Sequence, residues 1–150
     1  MVAAELSTLY ARDLARLAEE LRAFPDTATL WRTPPGVTNA AGTLALHLEG
    51  NLREYVGRQL GGIDYERDRP LEFSARGIEA ADLVARIEAV RRMVVDVVGT
   101  LAPERLEAAY PEPYNGDTLS TRQFLIHLLG HFNYHLGQIH YVRRVLAGGA

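Results

Sequence analysis

The chain has 150 residues, enough for one domain with a sizeable core, and 47% of them are hydrophobic, which argues against disorder. The formal net charge is -3 and the 16 basic residues, all arginine, form no basic stripe with interleaved aromatics, so nucleic acid is not an expected partner. There is no cysteine, which excludes disulfides, thiolate nucleophiles and Cys-type zinc sites, and no run of about 18 apolar residues predicts a membrane span.

Four segments carry helical periodicity. In the first, residues 3–23, Leu6, Leu9, Tyr10, Leu14, Leu17, Leu21 and Phe24 recur at three- and four-residue steps until Pro25 ends the run. Glu5, Arg12, Asp13 and Arg16 interrupt its apolar face, so it reads as an amphipathic helix and not a signal peptide, and the expected compartment is the cytoplasm. A loop over residues 26–38 contains Trp31, Pro34, Pro35 and Gly36. Thr38 or Asn39 then offers an N-cap for a second helix over 40–60, which stops at Gly61-Gly62. The polar stretch 64–77 reads as a connection.

The third helix spans 79–99, with Leu83, Ile87, Val90, Val94 and Val97 as its apolar line. Pro103, Pro111 and Pro113 break the next segment, and Asn115-Gly116 marks a tight turn. Ser120 with Gln123 is a capping-box signature, and the fourth helix runs from there to about residue 146, before Gly148-Gly149. Four long helices without a strand pair predict an all-α, four-helix bundle occupying residues 1–150 as one domain, with long inter-helix loops.

Four of the five histidines lie on the last helix: His127, His131, His135 and His140. A four-residue step turns about 400°, so His131 and His135 share a face one turn apart and can converge on one ion. Phe132 follows His131, so the glutamate of an HExxH zinc helix is missing. His127 reads as a pocket liner, because three successive histidines drift about 80° around the helix. His140 falls outward. The inward stripe is expected to be Phe124, Leu128, His131, Tyr134, His135, Gln138, Val142 and Val145, with Gln138 able to orient a histidine from behind.

On the second helix, His47, Asn51, Glu54 and Arg58 form a polar line flanked by Leu44, Leu48 and Leu52. Such a line suits a cavity inside a bundle, and His47 facing His131 and His135 completes a three-nitrogen site with one open position. The spacing leaves plain alternatives standing: polar residues in a cavity for the histidines, and an i,i+4 ion pair for Glu54 and Arg58.

The segment from His131 to Ile139, HFNYHLGQI, resembles the signature of the DinB/YfiT-like superfamily. The segment from Ala41 to Leu52 resembles that family's second helix with its first histidine, and the run from Arg67 to Phe73 resembles the stretch that follows it in one branch. The resemblance covers nearly the whole chain. It implies a four-helix bundle in which His47, His131 and His135 hold one divalent transition metal, commonly zinc or nickel. It also implies a frequent homodimer, and in some relatives a transferase or isomerase that uses a low-molecular-weight thiol such as bacillithiol, mycothiol or glutathione on a small-molecule substrate. A metal-dependent hydrolase and a non-enzymatic metal-binding or ligand-binding bundle are the alternative functions. Leu136 departs from the pattern, because many members carry arginine between the second histidine and the glycine.

Overall fold

The computed structural model describes residues 1–148, and these are all-helical, with two isolated β-bridges and no strand among them. Four long elements share one hydrophobic core: α1 (Val2–Arg22), α3 (Ala41–Leu52), α5 (Ala80–Gly99) and α7 (Thr121–Ala147). α1 packs most extensively against α5, and α3 lies between α5 and α7. Tyr10, fully buried on α1, ties two of these elements by donating to the Leu125 carbonyl of α7 at 2.5 Å.

Each connection expected as a loop carries a short helix. Asp26 starts α2 (Thr27–Leu30) by accepting from the Thr29 N–H, and Asp68 starts α4 (Arg69–Ser74) by accepting from the Leu71 N–H. Pro70 and Pro103 stand in the first turns of α4 and α6 (Pro103–Glu107), where a missing N–H costs nothing. α3 begins at Ala40 with no side-chain cap, so neither Thr38 nor Asn39 acts there as expected. Its start is held instead by packing. The Trp31 indole donates to the Ile78 carbonyl, and its ring lies where a side chain on Gly42 would stand.

All twelve residues of α3 are buried, including the polar His47, Glu49 and Asn51. The helix does not continue regularly to residue 60. From Arg53 to Arg58 it widens into a π-helical segment. The Gln59 N–H reaches back to the Glu54 carbonyl and the Leu60 N–H to that of Val56, while the Tyr55 carbonyl between them accepts the Tyr110 hydroxyl at 2.7 Å. Tyr110 also stacks on Phe124 of α7, centroid to centroid 3.8 Å. One tyrosine thus bridges the widened turn and α7.

α7 opens with the expected capping box, Ser120 with Gln123, and ends at Gly148 in the left-handed conformation; Gly149 lies outside the described residues. Its buried line is Phe124, Leu125, Leu128, Phe132, Leu136, Ile139 and Val142. Tyr134, Gln138 and Val145, expected to face inward, are exposed, and His131 and His135 are half-buried at the edge of the line. The physical reason is the neighbouring apolar row. Phe132 and Leu136 each follow a histidine by one residue, which is about 100° around the helix, and their larger apolar surface takes the core.

Removing only the hydroxyl in Tyr110→Phe is expected to lower stability by about 1–2 kcal/mol, since the Tyr55 carbonyl loses its donor while the Phe124 stack remains. Urea unfolding of both proteins measures it, and an unchanged midpoint would show that the bond contributes nothing.

Candidate metal centre

α3 and α7 bring together His47, His131 and His135. One ring nitrogen of each lies within 4.8 Å of the others, an arrangement able to hold a metal ion. His47 is buried, and the two α7 histidines are half-buried. The Nε2 atoms of His47 and His131 are 3.3 Å apart. Two nitrogens bound tetrahedrally to one ion at about 2.0–2.1 Å lie about 3.3–3.4 Å from each other, so this edge already has the right length.

The outer nitrogens decide which atoms are free. His47 Nδ1 faces Glu72 Oε1 at 3.2 Å. A carboxylate only accepts, so the proton belongs on Nδ1 and the Nε2 lone pair points into the cluster. His135 Nδ1 faces Gln138 Oε1 at 2.7 Å, with the same consequence. His131 Nδ1 is buried without a partner among the described residues. Three imidazole nitrogens thus face one another, an arrangement whose lone pairs a cation would satisfy.

The protonation equilibria agree. Burial, then the neighbouring His135 and His47, push His131 from 6.5 down to about 4. Burial also lowers His135, against the opposing hydrogen bond to Gln138. Both rings are neutral at pH 7, and no proton must leave before a metal binds.

Glu72 is the residue the sequence reading missed. Arg67 clasps it with both prongs, Nε to Oε2 at 2.8 Å and Nη2 to Oε1 at 3.0 Å. Burial disfavours the charge, but the hydrogen bonds from His47 and Arg67 outweigh it and hold the carboxyl below its usual range. Glu72 reaches this position because α3 has glycine at 50. A Cβ there would stand 1.9 Å from Glu72 Oε2. The Asp68–Pro70 pair signals a helix start in sequence, but only the folding of α4 back onto α3 shows what Glu72 meets.

An open cleft of about 240 Å³ leads away from His47 and His131, and Asn51, Tyr55, Arg67, Arg69, Tyr114 and His127 line it. His127 lies against Tyr114, ring centroids 4.2 Å apart, and is a wall residue outside the three-nitrogen cluster. The Asn115-Gly116 turn, with both residues at positive φ, sets Tyr114 there. Gln138 Oε1 lies 2.7 Å from His135 Nδ1. Glu54 and Arg58 pair with each other at 2.7–2.9 Å and do not line the cleft. His140 is bound to Glu20 of α1, away from the cluster. Leu136 is buried in the core, so its position makes no contact in the cleft.

A family profile of the DinB superfamily matches residues 9–139. The chain belongs to the DinB superfamily. No curated protein matches it significantly. Two crystal structures share the fold of this DinB chain. One is a conserved protein from Enterococcus faecalis, with TM-score 0.75, 15% identity and 95% of each chain covered. The other is a DinB-like protein from Bacillus cereus ATCC 10987, with TM-score 0.69, 18% identity, and 91% of this chain and 86% of that one covered.

Gly50→Ala is expected to expel the Glu72 carboxylate from His47, with a stability loss of about 1–3 kcal/mol from overpacking. NMR reads the slowly exchanging His47 Nδ1 proton. Its survival in the variant would show that Glu72 does not hold that ring.

Proposed function

We propose that this DinB chain is a metal-dependent enzyme of the four-helix-bundle type, in which His47, His131 and His135 hold one divalent transition metal, zinc or nickel. The observation that carries the reading is the pair of Nδ1 acceptors, Glu72 and Gln138, which turn two Nε2 lone pairs inward beside that of His131. Carboxylate or amide acceptors behind ligating histidines are the usual way such rings are oriented.

The reaction class we favour is a transferase acting on a small molecule with an external low-molecular-weight thiol. His47, His131 and His135 would hold the ion, and its charge would supply the acidity that favours the thiolate of a thiol or the hydroxide of a water. The chain has no cysteine, so any thiol comes from outside. The residues around the histidines orient and enclose. Glu72 and Gln138 fix the rings, Arg67 neutralises Glu72, and the walls of the cleft limit water. Hydrolysis is the second reading; Glu72, the carboxylate beside His47, is locked to Arg67 and is not free to act as its base.

We extend the reading to a homodimer, for which α7 offers an exposed row of Ile126, Tyr134, Tyr141 and Val145. No described helix is long and apolar enough to cross a membrane. The cytoplasm, where small thiols stay reduced, is the compartment this chemistry requires.

Elemental analysis of untagged protein tests the site. About one equivalent of transition metal is expected in wild type, with loss in a folded His131→Ala variant. Wild type that takes up neither zinc nor nickel would sink the reading. Sedimentation of the same sample is expected to show twice the 16.6 kDa of one chain, and turnover of an activated aryl halide is expected only with added thiol.

A further inference from the structure

The cleft beside the histidines contains an unused hydrogen-bonding group. Asn51 stands one helical turn after His47 on α3 and lines the cleft. It is 7% exposed, yet its side-chain amide has no hydrogen bond among the described residues. The little surface it keeps opens into the cleft, where an amide without a protein partner is available to a ligand.

A second group there is also unspent. Arg67 is neutralised by Glu72, but Arg69, two residues on, has no ion pair among the described residues. Its guanidinium lies 5.8 Å from the Phe73 ring centre, and the residue lines the same cleft. The opposite character comes from Tyr55, Tyr114 and His127, which give the cleft flat aromatic surface. Glu112 is the lining carboxylate and is exposed, so one negative charge on a ligand is matched and a second is opposed.

We propose that Asn51 and Arg69 form a recognition subsite for a compact monocarboxylate with a flat apolar body, held between the aromatic wall and the histidines. The guanidinium takes the carboxylate, the amide donates to it or to a neighbouring carbonyl, and Tyr114 with His127 covers the apolar part. The assignment of this ligand as a reactant rests on the metal reading above; the subsite itself does not.

The test is an NMR titration of the untagged protein with benzoate and with neutral benzamide, run both metal-free and with added zinc, with metal content measured in each sample. Benzoate is expected to shift the Asn51 side-chain amide and the Arg69 Nε–H, and to bind at least about ten-fold tighter than benzamide. Arg69→Gln is expected to reduce that preference to about two-fold or less. Asn51→Asp keeps the size of the side chain but is expected to lose benzoate while retaining benzamide. Displacement of benzoate by glutathione would assign the carboxylate to the thiol substrate; simultaneous binding would assign it to the acceptor. Equal affinity for the two probes, or shifts that bypass Asn51 and Arg69, would overturn the subsite. A protein that binds benzoate in this way but takes up no zinc would overturn the metal reading and leave the subsite standing.

Discussion

The Glu72 carboxylate is the pivot of the site. It sits between the Arg67 fork and the His47 ring, in space that exists because residue 50 has no side chain. A buried charge of this kind is tolerated only when paired and hydrogen-bonded, and here one arginine supplies both. Two distant stretches of chain are fixed by it: α3 through His47 and Gly50, and the segment running into α4 through Arg67 and Glu72. His47, so oriented, presents Nε2 to the α7 histidines, and the geometry of the cluster follows.

The electrostatics follow from the same pairing. Glu72 is neutralised by Arg67 and the α7 histidines are held neutral by burial, so the three-nitrogen cluster carries no negative charge of its own. A divalent ion held by His47, His131 and His135 would keep its full charge, because imidazoles are neutral ligands. Arg69, without an ion pair among the described residues, places one positive charge at the adjoining cleft, opposite the carboxylate of Glu112.

α7 serves three purposes on three faces. Its buried row, with Leu125, Phe132 and Ile139, anchors it in the core; its edge carries His131 and His135; its outer face exposes Tyr134 and Tyr141. A helix can do this because successive residues turn about 100°, so one-residue offsets separate core, site and surface. Tyr110 couples this helix to α3 by stacking on Phe124 and capping the Tyr55 carbonyl within the π-helical segment, and both of its partners lie near the cleft.

Periodicity and end signals were legible from the sequence by itself: the spans of α1, α5 and α7 to within a few residues, the Ser120 capping box, the Asn115-Gly116 turn and the one-turn spacing of His131 and His135. These are local properties, set by 3.6 residues per turn and by backbone preferences at caps and turns. The choice of buried face on α7, the widening of α3 after Leu52 and the placement of Glu72 against His47 were not legible in that way. Each depends on which surfaces of remote segments meet. The row with Phe132 and Leu136 displaced the histidines from the centre of the core, and Gly50 admitted a carboxylate from a segment that read as a connection. The sequence therefore determined the elements and the candidate ligands, and tertiary packing alone decided which ring nitrogens face one another, because that choice is made by the groups behind them.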